Sequence, residues 1–427
     1  MLDPKASSTI RPEAVIVVTG SELVRGERTD LNGPFYAQEA LQLGLQPTRI
    51  AIVGDDPGDL EAALREGFDA DVCLVSGGLG PTHDDRTIEL VARVAGRSLE
   101  VDPDLEEEIG QISRRFAERM RRPYADFAPG VRKQATLPDG AISLGIAGTA
   151  PGVVLDAGTC VVVVLPGPPG ELKRLWPRAL ETAPMRRVLA GTSRPERRVL
   201  RFFGSSESAV AKALAEAGGD GEGVEATICA RDFEIYVDLI VEPGAGARAD
   251  ALEQAFLGPI EEYLFGRDER SVQELVLERC RAAGLTLGAA ESCTGGLVSG
   301  RLTSVAGSSD VFRGGIVAYE NGVKRALLGV PEALLEEYGA VSAEVAAAMA
   351  EGARERLGVD VAVSVTGIAG PGGGTPEKPV GLVFIHVAGP TGERAVRIEI
   401  PGEREWVRAR AAATALHTVR RLLERAA

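Results

Sequence analysis

Apolar runs alternate with amphipathic segments along the first 170 positions of the chain. Strand-sized apolar runs lie at 14–20, 47–55 and 71–78. Segments with helical spacing of apolar residues lie at 31–44, 57–67 and 84–96, and each ends at a glycine. This alternation predicts a parallel sheet with helices on both faces. Ligands of such sheets bind beyond the carboxyl ends of the strands, where we expect the loops at 19–30, 54–58 and 76–85.

The alternation of predicted strands and helices resumes near position 268. Predicted strands lie at 285–292, 314–319, 359–367 and 381–389, and predicted helices at 271–283, 294–304, 341–358 and 403–425. The segment between the two regions differs, with strand-like runs at 199–204 and 233–242 and helices at 207–217 and 247–264. We therefore predict an α/β protein. Two α/β sandwich domains with mostly parallel sheets, 1–170 and 268–427, are joined by a small α+β linker or dimerisation module, 171–267.

Length and composition argue against several classes of protein. A chain of 427 residues is too long for one hydrophobic core. A net charge of −15 disfavours direct nucleic-acid binding, and we interpret the basic segment 114–123 as a solvated helix face. Since no apolar run is long enough for a membrane span and the first residues lack a signal-peptide layout, we expect a cytoplasmic protein. The five cysteines and three histidines are too scattered for a zinc site or a disulfide framework.

A glycine-rich loop, SGGLGPTHDD at 76–85, follows the third predicted strand. The glycines allow backbone N–H groups to approach an anion, and the next helix adds its positive end. Asp84 and Asp85 would repel a phosphate unless a divalent cation lay between them. Glu22 and Asp55, at the ends of two other predicted strands, are further candidate ligands. The alternative is that the two aspartates only cap the following helix.

The sequence ESCTGG at 291–296 places three nucleophilic groups at a strand-to-helix turn. Ser292, Cys293 and Thr294 crowd a predicted helix N-terminus, which favours developing negative charge. We expect the N–H groups of the 294–296 turn to hold an oxyanion. Ser308 and Ser309 in the next loop are competing hydroxyls, and Cys293 is a rival thiol nucleophile.

A nucleophile of this kind needs a base, and histidine is scarce. We interpret His386, within a strand, and His417, on the last helix, as structural. Lys324 follows the strand 314–319, so it can reach the same end of the sheet, and a desolvated lysine can act as a base. The glycine-rich loop 365–381 favours a ligand role, with Lys378 and Arg408 as possible positive charges.

Several of these motifs resemble one family. ESCTGGLVSGRLTSVAGSSDVFRGGIVAYENGVK, GAVSAEVAAAMAEG and VTGIAGPGGGTPEKPVG resemble the C-terminal domain of the competence/damage-inducible protein A (CinA) family, a nicotinamide mononucleotide (NMN) deamidase domain. TGSELVRG, SGGLGPTHDDRT and LPGPPGEL resemble its N-terminal domain, which is similar to molybdopterin-binding domains of the MoaB/MogA type. In this family that domain is associated with metal-dependent ADP-ribose pyrophosphatase activity. The segment 27–35 departs from the expected Asn-Thr-Asn-like stretch.

The resemblance implies a role for each matching residue. It implies a catalytic dyad of Ser292 and Lys324 and no cofactor for deamidation. It implies that NMN is bound by Thr294, Gly295, Gly296, Ser309, Tyr319, Thr366, Gly367 and Arg408. In the N-terminal domain it implies a nucleotide site with Gly77, Gly78, Gly80 and Thr82, and a divalent cation held by Asp84, Asp85 and Glu22.

These assignments predict two hydrolytic activities. The first converts NMN and water to nicotinic acid mononucleotide and ammonia, and the second hydrolyses ADP-ribose to AMP and ribose 5-phosphate. The partners are then small nucleotides, and we expect a homodimer. The alternative from a different class is a non-catalytic nucleotide- or pterin-binding protein that supports competence or DNA repair.

Overall fold

The computed structural model describes residues 11–148 and 150–424. The expectation that the chain has no signal peptide rests on its first thirteen residues. Residues 1–10 lie outside the described ranges. Within the described residues, no helix is long and apolar enough to cross a membrane. The chain separates into two compact units, Met1–Glu196 with Val241–Gly246, and Arg197–Ile240 with Ala247–Ala427. Parts of the segment 171–267 fall in each unit, and the three predicted domain boundaries stay a prediction.

The first unit is built around a mixed sheet. Its strands are β1 (Glu13–Thr19), β2 (Gln46–Val53), β3 (Val72–Ser76), β4 (Leu99–Val101), β5 (Thr136–Pro138), β6 (Ile142–Ile146), β7 (Pro151–Asp156) and β8 (Val161–Leu165). Its helices are α1 (Ser21–Val24), α2 (Asn32–Gln42), α3 (Pro57–Gly67), α4 (Thr87–Ala95), α5 (Pro103–Met120), α6 (Ala128–Gln134), α7 (Pro169–Leu180) and α8 (Ala183–Leu189). The main sheet has the order β2-β1-β3-β8-β7-β6, and β4 pairs with β5.

Local sequence explains most of this sheet. Strands β1, β2, β3 and β8 are parallel, as the alternation of strands and helices predicts. Helix α3 starts where expected because the Asp56 side chain accepts hydrogen bonds from the N–H groups of Gly58 and Asp59. Strands β6 and β7 add an antiparallel edge. The connection from β7 to β8 is too short for a crossover helix, so these two strands pair as a hairpin.

The second unit contains two sheets. Its strands are β9 (Glu196–Phe202), β10 (Val224–Arg231), β11 (Glu234–Val241), β12 (Leu264–Gly266), β13 (Leu287–Glu291), β14 (Phe312–Val317), β15 (Val361–Gly367), β16 (Leu382–Gly389) and β17 (Gly392–Glu399). Its helices are α9 (Glu207–Glu216), α10 (Gly246–Leu257), α11 (Val272–Ala283), α12 (Leu297–Thr303), α13 (Asn321–Leu328), α14 (Glu332–Tyr338), α15 (Ala343–Leu357) and α16 (Arg404–Leu423). The sheet orders are β10-β11-β9-β12 and β14-β13-β15-β16-β17.

The larger sheet of this unit brings the ends of three parallel strands together. Strands β13, β14 and β15 are parallel, whereas β16 and β17 are antiparallel. Helix α16 packs a stripe of small and apolar residues, among them Val407, Ala411 and Leu416, into the core beneath this sheet. The predicted α/β class with mostly parallel central strands is thus confirmed, and the carboxyl ends of β13, β14 and β15 meet at one edge.

Candidate active site

The edge formed by β13, β14 and β15 gathers three loops. Glu291, the last residue of β13, is in register with Val317 of β14 and Val365 of β15. The next residue, Ser292, donates its backbone N–H to the Val365 carbonyl at 2.9 Å, and the Ala318 N–H donates to the Glu291 carbonyl at 2.8 Å. The segments after all three strands therefore lie side by side.

Glu291 organises the turn that carries the candidate nucleophile. Its buried carboxylate accepts hydrogen bonds from the N–H groups of Gly296 at 2.9 Å, Val298 at 3.1 Å and Ser299 at 2.8 Å. It also accepts the Ser299 hydroxyl at 2.7 Å. A carboxylate at the first turn of a helix satisfies unpaired N–H groups and interacts favourably with the helix dipole. The sequence analysis missed this residue, although an acidic residue just before a Gly-Gly turn into a helix was a usable signal.

The expected oxyanion donors need a correction. The Gly295 N–H donates to the Ser292 carbonyl at 3.1 Å, and the Gly296 N–H donates to Glu291, so the expectation that these two groups face an oxyanion is wrong. The Thr294 N–H faces the Cys293 thiol. The Thr294 hydroxyl is buried and has no hydrogen-bond partner among the described residues. The Thr294 hydroxyl is therefore a polar group of this turn that the described residues leave without a partner.

Lys324 reaches the same edge from helix α13. Its side chain is only 1% exposed, and Nζ donates to the Tyr319 carbonyl at 3.0 Å. Burial lowers the pKa of Lys324 from its ordinary value, while the nearby Glu320 and Cys293 act in the opposite direction. Within residues 11–148 and 150–424, Lys324 has no ion-pair partner. Burial, rather than a neighbouring arginine, thus favours its neutral form.

Ser292 lies on the turn after β13 and Lys324 on helix α13, and their side chains make no hydrogen bond to each other. The Ser292 side chain is 7% exposed, and its hydroxyl makes no hydrogen bond within the described part of the chain. Cys293, the rival nucleophile, is 4% exposed, and burial raises the pKa of its thiol to about 11. A thiol with that pKa is protonated at neutral pH and is a poor nucleophile. The geometry therefore favours the serine.

Ser309 does not belong to this site within one chain. It lies in the turn Ser308–Asp310, which precedes β14, whereas Ser292 follows the parallel neighbour β13. The two serines therefore stand at opposite ends of the sheet, separated by a strand length of roughly 15 Å. Within one chain, Ser309 is therefore too far from Ser292 to line the same substrate site or to compete with Ser292 as nucleophile.

The first turns of α16 tie the loops together. Arg408 donates to the carbonyls of Cys293 and Thr294, both at 3.1 Å, and also pairs with Glu405. Arg404 donates to the Gly370 carbonyl at 2.7 Å and to the Tyr319 hydroxyl at 3.0 Å. Arg408 therefore positions the nucleophile turn instead of offering a free charge. Arg404 was missed by the sequence analysis.

The third loop is also held by its own hydrogen bonds. The buried Thr366 hydroxyl donates to the Ala340 carbonyl at 2.7 Å. Gly367 pairs with Val383, and a Cβ atom there would lie 2.8 Å from the Leu382 carbonyl oxygen. Lys378 donates to the carbonyls of Tyr338 at 2.5 Å and Val341 at 2.8 Å, so it closes a loop and is not a free cation for substrate.

A second candidate site lies in the first unit, at the carboxyl ends of β1, β3 and β8. A cavity of about 420 Å³ is lined by Val18, Thr19, Glu22, Leu23, Arg28, Thr29, Asp30, Leu31, Asn32, Ser76, Gly167, Pro168 and Pro169. The Asn32 amide nitrogen donates to the Ser76 hydroxyl at 2.8 Å and to the Gly167 carbonyl at 2.7 Å. Its amide oxygen is buried without a partner in the part of the chain that is described. Asn32 lies in the very segment that departs from the family pattern, and the sequence analysis did not select it.

The glycine-rich loop beside this cavity is more closed than expected. Gly77 and Gly78 have positive φ angles of 104° and 65°. A Cβ at Gly77 would lie 2.5 Å from the Thr19 carbonyl oxygen, and the Gly77 N–H already donates to the Leu165 carbonyl. A Cβ at Gly80 would meet the Asp85 carboxylate at 2.4 Å. These glycines allow close packing of the loop.

The predicted cation ligands are not assembled. Asp85 accepts hydrogen bonds from the backbone N–H and the hydroxyl of Thr82, and a hydrogen bond from Thr82 lowers the pKa of the exposed Asp84. Glu22 lines the cavity, whereas neither aspartate does. Asp55 is hydrogen-bonded to Ser21. Within the described residues, no three Asp, Glu, His or Cys side chains are grouped to hold a metal ion, so the set Asp84, Asp85 and Glu22 is corrected.

Comparisons with known proteins show what this chain is similar to over most of its length. Residues 269–423 match the family described as CinA C-terminal domain, and 15–184 match the probable molybdopterin binding domain. The chain is 45% identical to a CinA-like protein of Mycolicibacterium gilvum, over 96% of this chain and 98% of that protein. It is 41% identical to a CinA-like protein of Mycobacterium tuberculosis, over 97% and 98%. The competence/damage inducible protein structure from Agrobacterium tumefaciens has 40% identity and a TM-score of 0.35, covering 37% of this chain and 99% of that one.

Proposed function

Because the chain belongs to the family of CinA-like proteins, we propose that its second unit is an amidohydrolase that converts NMN and water to nicotinic acid mononucleotide and ammonia. The observation that carries this proposal is Lys324, a buried lysine with a lowered pKa at the same sheet edge as Ser292. Such a lysine can take a proton at a pH where a surface lysine is charged.

The reaction follows from the roles of these two groups. Neutral Lys324 accepts the hydroxyl proton of Ser292, and the serine oxygen attacks the carboxamide carbon of NMN. The Lys324 ammonium then returns the proton to the leaving nitrogen, ammonia departs, and a nicotinoyl ester remains on Ser292. Water, deprotonated by Lys324, attacks that ester, and the Lys324 ammonium returns this proton to the leaving Ser292 oxygen as the acid is released. A neutral amine keeps two N–H groups beside its lone pair, so the hydrogen bond to Tyr319 is compatible with this role.

The remaining residues hold the geometry for this reaction. We assign the unpartnered Thr294 hydroxyl as a donor to the developing oxyanion, since the Gly295 and Gly296 N–H groups are occupied. Glu291 and Arg408 fix the turn from its N–H and carbonyl sides, respectively. Preorganisation of this kind lowers the barrier because the site need not rearrange during the reaction.

Ammonia release from NMN tests the proposal directly. We expect turnover by the wild type in the presence of EDTA, and loss of at least about 1,000-fold in Ser292→Ala and Lys324→Ala, since a serine and its base act as a unit. Ser309→Ala is the matched control and should retain wild-type turnover, because Ser309 lies at the other end of the sheet. Normal turnover in Ser292→Ala would refute the assignment.

A second proposal concerns the first unit, which we infer to bind and hydrolyse ADP-ribose to AMP and ribose 5-phosphate. Asn32 lines the 420 Å³ cavity, and its buried amide oxygen lacks a partner among the described residues, which favours a polar ligand beside it. Since no metal site is assembled from the described side chains, we assign no metal step. AMP formation with and without EDTA, in wild type and in Asn32→Leu, tests this proposal. Equal rates in both proteins would refute the role of the cavity.

A further inference from the structure

A cavity in the second unit lies away from the sheet edge that carries Ser292 and Lys324. It has a volume of about 350 Å³ and is lined by Phe203, Gly204, Ser205, Phe233, Arg394, Val396, Ile398, Glu399, Ile400, Arg410, Thr414, His417, Thr418 and Arg421. These residues come from the β10–β11 hairpin, the end of β9, strand β17 and helix α16. No residue of the proposed dyad or of its turn is among them, so the two sites are distinct.

Three guanidinium groups line this cavity in a protein whose net charge is −15. Arg410 and Arg421 form no ion pair with a carboxylate in the described part of the chain, and Arg421 donates only to the Phe203 carbonyl at 3.4 Å. Arg394 is the third. The lining carboxylate, Glu399, is paired with Arg397 at 2.6 Å, outside the cavity lining. Because Arg410 and Arg421 form no ion pair among the described residues and Glu399 is paired, these two arginines give the cavity an excess of positive charge, which attracts an anion.

Aromatic rings supply the apolar part of the lining. Phe203 stacks on His417 at a ring distance of 3.7 Å and an interplanar angle of 7°. His417 is buried and hydrogen-bonded to Glu234 at 2.8 Å, and burial lowers its pKa to about 4, so it is a neutral ring at physiological pH. The wall thus offers flat apolar surface beside the arginines.

Phe233 is held in this wall by a strained turn. Asp232 and Phe233 have φ angles of 52° and 69°, a combination that hairpins of this kind usually assign to Asn and Gly. The Phe233 ring packs edge-on against Trp406 of α16, with ring centroids 4.6 Å apart. A bulky residue in left-handed conformation is uncommon, and such residues concentrate at functional sites.

We propose that this cavity is a second ligand site, which binds a small phosphate ester carrying a planar ring, such as a nucleoside monophosphate. Arg410 and Arg421 bind the phosphate oxygens, because guanidinium groups match phosphate in charge and geometry. The ring of the ligand packs against Phe233 and the Phe203 surface. A volume of about 350 Å³ falls in the range of small-molecule pockets.

AMP is the probe for this site, and Trp406 is the reporter. The chain contains two tryptophans, and Trp406 contacts Phe233 of the cavity wall. We expect AMP to change the emission of the full-length protein, and Trp406→Phe to lose that change. Adenosine should give no change at tenfold higher concentration, because it lacks the phosphate. Ribose 5-phosphate should bind more weakly than AMP, and equal binding would overturn the assigned role of the rings.

Variants that change the charge of the cavity lining test whether AMP binds there. Arg410 is exposed and unpaired, so Arg410→Glu should fold and should weaken AMP binding by about 10-fold or more, the value of a charge-assisted hydrogen bond. Arg356→Glu is the matched control, since Arg356 is an exposed arginine of helix α15 that does not line the cavity, and it should bind like wild type. Calorimetry should show one binding event fewer in the Arg410→Glu, Arg421→Ala double variant. Unchanged affinity and stoichiometry in both Arg410 variants would overturn the proposal, whatever the outcome of the deamidase assay.

Discussion

Replacing Glu291 by glutamine tests whether this carboxylate holds the nucleophile turn. One oxygen of Glu291 accepts the Ser299 N–H and hydroxyl, and the other accepts the Gly296 and Val298 N–H groups. An amide nitrogen in either position faces a backbone donor. The less costly orientation points the amide nitrogen at Ser299. The Ser299 hydroxyl can then rotate to accept a hydrogen bond, so that only the Ser299 backbone N–H loses its partner.

The cost of that change can be estimated from its parts. A buried N–H without an acceptor costs about 1–3 kcal/mol. Loss of the charge at the helix N-terminus adds about 0.5–2 kcal/mol. We therefore expect the free energy for opening this turn to fall by about 1.5–5 kcal/mol, which corresponds to roughly 10- to 5,000-fold faster amide exchange.

Hydrogen exchange followed by mass spectrometry measures this effect on peptides that cover 287–303. Glu320→Gln is the control, because Glu320 caps the next helix through the Gly322 N–H at 2.7 Å but is exposed to solvent. Its glutamine keeps an oxygen for that N–H, so we expect less than about 1 kcal/mol there. A change below threefold in Glu291→Gln would show that the carboxylate does not hold the turn.

Three further predictions concern other parts of the chain. Lys324→Arg should abolish ammonia release, and the wild-type kcat/KM should rise with pH to a plateau with a midpoint below 10.5, because burial lowers the pKa of the base; a flat profile from pH 6 to 10 would contradict this role. Gly77→Ala should destabilise the first unit by about 2 kcal/mol or more in thermal unfolding, because the φ of Gly77 is 104° and the new Cβ would lie 2.5 Å from the Thr19 carbonyl oxygen. Gly96→Ala is the control, since the space around its Cβ is open, and it should cost about 1 kcal/mol. Burial keeps the pKa of His417 at about 4, so as pH falls through 6.5 this histidine takes up a proton in the unfolded chain before it does so in the folded protein. The free energy of unfolding should therefore drop by about 2 kcal/mol from pH 7 to pH 5. His417→Gln should lose this pH dependence in denaturant titrations.

Tertiary context changed several individual assignments. The Ser292–Lys324 pairing could be proposed from sequence because both residues follow strands of one parallel sheet. Ser309 fails the same rule, since it precedes its strand, and applying the rule strictly would have excluded it. Arg408 and Lys378 were expected as free charges, yet both donate to backbone carbonyls that only the folded loops bring within reach. Asn32 and Arg404 gave no local signal, because their partners lie more than thirty residues away in sequence.

The sequence by itself determined the α/β architecture and the sheet edge that carries the candidate site. Those features depend on the period of apolar residues, on caps such as Asp56 and on connection lengths, all of which act over a few neighbouring residues. Tertiary structure decided which donors are free and which are occupied. It buried Lys324 and lowered its pKa, and it left the Thr294 hydroxyl without a partner while Glu291 took the helix N–H groups. Desolvation and hydrogen-bond partnership depend on atoms distant along the chain, so local pattern does not contain them.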